Sequence, residues 1–237
     1  MPMDDGAEAG MTLPPEHDNT GWIAQLRALG QTLRVPAVLV LCLICCGVEL
    51  TLEAADAGWV GSRLWRGMAY QNGAFWEGLL YNWRPNYGAQ PAAMFVTYAF
   101  LHADFWHLAG NMIALLLLAR IVLARVGQLG FLLIYTLSAF GGACVFVLLA
   151  QTPAPMVGAS GALFGLAGAW QYWEWLELRA AGLSLTPLWR SLAVLVLLNV
   201  VLWLMNDGGL AWQTHLGGFV FGWGGSYGIG LVLSKGK

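Results

Sequence analysis

The sequence predicts an all-α membrane protein with six transmembrane helices, and three observations carry that prediction. The chain is 58% hydrophobic and 10% charged, with 13 tryptophans among 237 residues, far more apolar than a soluble domain. It contains six apolar runs, each near the roughly 20 residues that a helix needs to cross a bilayer. Eight of its 11 positive charges fall on one side of the topology those runs imply. The balance of 11 Lys and Arg against 13 Asp and Glu leaves no basic stripe, so nucleic acid is excluded as a partner.

Residues 1–34 are mostly polar and read as a loose, solvated cytoplasmic tail. They lack a short basic start, and no small-residue cleavage site follows, so a removable signal peptide is not expected. The remainder, 35–237, forms the membrane-embedded domain. Its spans are expected at about 35–52, 105–123, 129–150, 157–176, 188–205 and 212–233. Cys42, Cys45, Cys46 and Cys144 fall inside spans and read as packing residues rather than a disulfide framework. The long connection at about 54–104 is rich in Trp, Tyr and Gly, which suits short amphipathic helices lying partly in the membrane interface.

With a cytoplasmic N-terminus, Arg27, Arg34, Arg120, Arg125, Arg179, Arg190, Lys235 and Lys237 all face the cytoplasm, leaving Arg63, Arg66 and Arg84 outside. Both termini are then inside, and the second, fourth and sixth spans all start at the outer face.

Those three spans carry polar groups that hydrocarbon should exclude. His107 and Asn111 are four apart, one turn above the other on one helix face. Ser160 sits among glycines in MVGASGALFG and shares a face with Phe164, while Gly161, Gly165 and Gly168 form a small-residue stripe one step round. His215 shares its face with Gly218 and Gly222, which permits close approach to a neighbouring helix. Taken singly, each feature has a structural explanation. A serine between glycines is usually interface packing, an asparagine is more often polar glue, and an intramembrane histidine is as readily a satisfied hydrogen bond as a base or ligand. Asp104, His102 and Thr97 lie near the membrane surface, where polarity costs little, and read as interfacial. The combination is less easily structural, because Ser160, His215, His107 and Asn111 all fall in the first turns of outward-starting helices and so converge at one depth.

Gly158-Ala159-Ser160-Gly161 resembles the Gly-x-Ser-Gly motif of rhomboid intramembrane serine proteases. His107-x-x-x-Asn111, with His102 upstream, resembles their second-helix signature, and His215-x-x-Gly218-x-x-x-Gly222 their sixth helix. The resemblance covers roughly 35–233 and implies a compact six-helix rhomboid-like bundle. Two features depart from the family. The Trp-Arg pair that rhomboids place shortly before the second-helix histidines corresponds to Ala93 and Met94, while Trp65-Arg66 and Trp83-Arg84 lie further upstream and receive no catalytic role. Phe164 stands where the family often has tyrosine.

The resemblance implies a dyad: Ser160 as nucleophile and His215 as general base, with no acidic third member and Phe164 stacking on the imidazole. His107 and Asn111, with the Ser160 backbone N–H, would stabilise the oxyanion. Gly158, Gly161, Gly218 and Gly222 would supply close packing around the site. No metal or organic cofactor is implied. The expected substrates are transmembrane segments of other membrane proteins, cut near the outer boundary, and a hydrophilic cavity should lead from the outer face to Ser160. The expected setting is a multi-pass protein of a bacterial inner (plasma) membrane, in contact with membrane lipids, both termini cytoplasmic; the sequence does not specify an oligomeric state.

Other classes explain less. Haem ligation by His107 and His215 leaves Ser160 and Asn111 without a role. A transporter would more often show inverted repeats or paired broken helices. An inactive relative would be expected to lack the serine or the histidine. A soluble serine hydrolase would need the final glycine of Gly-x-Ser-x-Gly, where Ala162 stands.

Overall fold

The structure, a computed structural model, describes residues 20–235. The described residues form eight α-helices: α1 (Thr20–Leu33), α2 (Pro36–Asp56), α3 (Trp65–Gly73), α4 (Gln90–Thr97), α5 (Phe105–Leu149), α6 (Ser160–Ala180), α7 (Thr186–Met205) and α8 (Trp212–Lys235). Among the described residues there is no strand, only a single antiparallel bridge between Phe75 and Met156.

Helix α5 holds two of the expected spans. Its 45 residues would make an unbroken rod about 68 Å long, more than twice the hydrocarbon thickness. Gly127, at φ 66° and ψ −173°, breaks it into arms at 105–126 and 128–149. With that break the described residues hold six long helical segments. Helices α2, α5 and α7 are long and apolar enough to cross a membrane on length and composition alone. Helices α6 and α8 have comparable length, at 21 and 24 residues, but their apolar character is diluted by Glu174, Glu177 and Arg179 in α6 and by glycines in α8. The four cysteines are unpaired, and Cys42 and Cys45 are buried in α2.

Three differences from the sequence expectation stand out. Residues 20–33 are helical rather than loose, since apolar residues recur at helical spacing along TGWIAQLRALGQTL, and Thr32 is buried. Residues 1–19 of the expected tail lie outside the described region. Helix α6 starts at Ser160 rather than 157, because the backbone of 151–159 is irregular and Gly158 takes φ +125°. The 57–104 connection is more than an interfacial covering. Phe75, Met94 and Tyr98 are fully buried and form a second core with Ala143, Phe146 and Met156.

That second core positions the segment leading into α6. Phe75 and Met156 exchange backbone hydrogen bonds, and the Gly158 amide donates to the Tyr98 carbonyl at 3.0 Å. The Tyr98 hydroxyl donates to the Ala139 carbonyl on α5 at 2.8 Å. Arg66 lashes the same connection to the bundle. It lies 2.9 Å from the fully buried Glu49, 3.5 Å from Glu53 and 2.5 Å from Asp56, all on α2. Its guanidinium also donates to the carbonyls of His102 and Ala103 just before α5. Of the two Trp-Arg pairs, Trp65-Arg66 is thus the one built into the fold, while Arg84 is exposed.

Helix α6 runs through the centre, with Gly161, Leu163, Leu166, Ala169 and Trp173 all buried. It packs against α8 almost without side chains between. A Cβ added at Gly218 would lie 1.9 Å from the Gly161 carbonyl oxygen, and one at Gly222 1.9 Å from that of Gly165. Helix α7 is peripheral, with Leu188 its only buried residue.

Candidate active site

Ser160 is the first residue of α6, His215 the fourth of α8 and His107 the third of α5. Three helix N-termini therefore meet at one level, as the spacing of the motifs requires. Ser160 Oγ lies 2.8 Å from His215 Nε2. The His215 ring stacks on Phe164 one turn along α6, with centroids 4.2 Å apart and planes 8° from parallel. His215 and Asn111 are buried, while Ser160 and His107 keep partial exposure, so the serine is reachable while its partner is shielded.

Local structure fixes the second group. Asp104 caps α5 by accepting from the His107 amide at 2.9 Å. His107 Nδ1 accepts from the Ala103 amide at 3.3 Å, which leaves the ring proton on Nε2. That nitrogen faces Gly158. A Cβ built on Gly158 would come within 2.9 Å of His107 Nε2, 2.8 Å of its Cε1 and 3.7 Å of Ser160 Oγ. The missing side chain leaves a hollow with the serine oxygen on one side and an imidazole donor on the other. Ser160 also opens its helix, so the first amides of α6 have no intrahelical acceptor and carry the positive end of the helix dipole. Asn111 Nδ2 donates to the His107 carbonyl one turn earlier at 2.8 Å, and its second amide hydrogen is not used in that bond.

The residues read as interfacial have specific places. Thr97 Oγ1 donates to the Gly73 carbonyl at 2.6 Å and so ties α4 to α3. His102 is fully buried, contrary to the expectation of an interfacial residue, and stands edge-on to His107 with centroids 5.2 Å apart. Its carbonyl accepts from both Arg66 and the Tyr70 hydroxyl.

One site residue is passed over by sequence reasoning. Asn199 of α7 places Oδ1 2.6 Å from His215 Nδ1. The available signal is its isolation: it is the only polar residue in the run 192–205, and a lone polar group in a membrane helix warrants a functional reading.

Comparison with known proteins gives a consistent result. Residues 89–232, more than half of the chain, match the family model for the rhomboid domain. Over 79 residues the chain is 38% identical to Rhomboid protein 1, mitochondrial, of Saccharomyces cerevisiae. That match takes in 31% of this chain and 23% of the length of the yeast protein.

Proposed function

The chain belongs to the rhomboid family, and from that premise we propose that it is an intramembrane serine endopeptidase cleaving transmembrane segments of other membrane proteins. The observation that carries the reading is the 2.8 Å approach of Ser160 Oγ to His215 Nε2 beside the hollow at Gly158. His215, as neutral base, takes the Ser160 proton while the serine oxygen attacks the scissile carbonyl. The same imidazole then protonates the leaving amine, and water hydrolyses the acyl-enzyme. The developing oxyanion enters the hollow at Gly158, where His107 Nε2–H, the Ser160 backbone N–H and the free amide hydrogen of Asn111 donate to it. Gly161, Gly218 and Gly222 hold α6 and α8 close enough for the dyad to form, and Phe164 steadies the ring.

The positive-charge asymmetry supports a topology with both termini in the cytoplasm and the site near the outer boundary, which fits cleavage where a substrate helix leaves hydrocarbon and can unwind. In that topology 1–34 form a cytoplasmic tail and 35–237 the protease domain, in a bacterial plasma membrane. A reporter fused after Lys237 is then cytoplasmic and one inserted near Gly88 external.

The test is reaction of the purified, detergent-solubilised protein with a fluorophosphonate and mapping of the adduct. The reading requires the adduct on Ser160 and its loss in His215→Ala. Absence of an adduct at Ser160 in folded protein overturns it.

A further inference from the structure

We propose that Asn199 is a positioning residue for His215, holding the imidazole in the single tautomer that can accept the Ser160 proton. The proposal rests on the reading of Ser160 and His215 as nucleophile and base.

The hydrogen bonds around the amide leave one arrangement. Asn199 Nδ2 donates to the Leu195 carbonyl one turn earlier on α7, at 3.1 Å. A carbonyl can only accept, so the amide nitrogen faces Leu195 and the amide oxygen faces His215. Oδ1, 2.6 Å from His215 Nδ1, can also only accept, so Nδ1 carries the proton of the neutral ring. Nε2 is then bare, and at 2.8 Å the Ser160 hydroxyl donates to it. The direction of proton flow is thus set by a chain from the Leu195 carbonyl through Asn199 and His215 to Ser160.

The surroundings offer no substitute. Asn199 and His215 both border a cavity of about 540 Å³ among α6, α7 and α8, lined otherwise by residues such as Leu192, Val196, Val200 and Phe219. The remaining polar groups of its lining side chains are the indole N–H groups of Trp203 and Trp212, which donate and do not accept. Among the described residues bordering the cavity, the Asn199 amide is therefore the one side-chain acceptor for His215 Nδ1–H. An amide fits such a place better than a carboxylate, because it accepts the bond without burying a charge in an apolar cavity. When His215 takes the serine proton, the Nδ1–H bond strengthens and the imidazolium is held in place. Phe164 fixes the plane of the ring by stacking, and Asn199 fixes its rotation within that plane. His215 otherwise touches Phe164 and Ser160 of α6, neither titratable near neutral pH, and the charge that acts on it from α5 is that of His107.

The test is the pH dependence of fluorophosphonate labelling of Ser160 in the reconstituted full chain, comparing wild type, Asn199→Leu and Asn199→Asp. In Asn199→Leu the plateau rate should fall at least tenfold, since loss of the orienting acceptor in related triads costs still more, and the acid limb should move to lower pH because the protonated ring loses its acceptor. In Asn199→Asp the rate should be largely restored and the acid limb should move to higher pH, because a carboxylate favours the protonated ring. A limb unmoved in Asn199→Leu overturns the proposal, whatever happens to the plateau, because a packing role alone would not move it. If Asn199→Leu fails to fold, the limb in Asn199→Ala decides, again expected at lower pH and overturning the proposal if unmoved. A wild type unlabelled at every pH overturns the enzymatic reading together with this one, whereas a labelled wild type with unmoved variants overturns this one only.

Discussion

Gly218 packs so closely on Gly161 that the space for its Cβ is already occupied by the Gly161 carbonyl oxygen, 1.9 Å away. The contact stands directly beneath the site: Gly218 is one turn after His215 on α8, and Gly161 directly follows Ser160 on α6. The distance between Ser160 and His215 is therefore set by the approach of two backbones rather than by adjustable side chains. The second contact of the same kind, Gly222 on Gly165, extends the seam by a turn and fixes the crossing of the helices.

Gly218→Val tests that seam. A branched side chain must separate the helices, since a carbonyl oxygen in a helix cannot yield as a flexible side chain can. The expected result is a lowered melting temperature, with overpacking costing about 1–3 kcal/mol, and loss of labelling at Ser160. Wild-type melting with wild-type labelling would show that α6 and α8 are not paired in this way.

Gly158→Ala tests the proposed oxyanion hollow. The added methyl meets His107 at 2.8 Å and 2.9 Å, and the φ of +125° is one that alanine rarely adopts. Activity should fall by about 10²-fold or more, comparable to removal of an oxyanion donor, while the strained backbone costs about 1–3 kcal/mol. Turnover and thermal melting measured on one preparation distinguish the two effects. A full-rate Gly158→Ala enzyme would place the oxyanion elsewhere.

His102 gives the protein an acid sensitivity of its own. Burial, reinforced by the neighbouring His107 and partly offset by Asp104, pushes its imidazole from 6.5 down to about 3. The folded protein keeps the ring neutral where the unfolded chain protonates it. Its contribution is therefore complete above about pH 6.5 and is lost as the pH falls toward 3. The melting temperature of the wild type should drop more steeply across that window than that of His102→Phe. Parallel curves would show that His102 is not held neutral by the fold.

How far the sequence discloses this site depends on the range of the interactions concerned. The convergence of Ser160, His215, His107 and Asn111 is legible because each lies near the start of an alternate span, and alternation of spans alone brings those starts to one level. The glycine stripes are legible because helical periodicity puts Gly218 and Gly222 on the face of His215. The place of Arg66 is not, since its partners Glu49, Asp56 and the His102 carbonyl come from two other segments, and no local pattern joins them. Asn199 escapes for a similar reason, as it meets His215 across a helix–helix contact sixteen residues apart. The start of α6 is misplaced by three residues because hydropathy does not register the irregular backbone that Gly158 and the Tyr98 carbonyl impose.

The roles within the site separate by their response to deletion. In the proposed mechanism Ser160→Ala removes the nucleophile and His215→Ala the base, so each should abolish cleavage of a membrane-protein substrate. The double variant should lose nothing further, because two groups that act in one proton transfer fail together. His107→Ala and Asn111→Ala remove donors and keep the dyad. Each should leave a measurable residual rate, reduced by about 10²-fold or more, in a protein of near-normal stability. His107→Ala should be the more damaging, because its Nε2 already faces the hollow at Gly158, whereas the Asn111 amide is engaged with the His107 carbonyl and donates only its second hydrogen. Rates in a purified, reconstituted preparation give the order directly. Should Ser160→Ala cleave as well as Asn111→Ala, the serine is a packing residue between glycines, and the 2.8 Å contact with His215 is an interhelical hydrogen bond without chemistry.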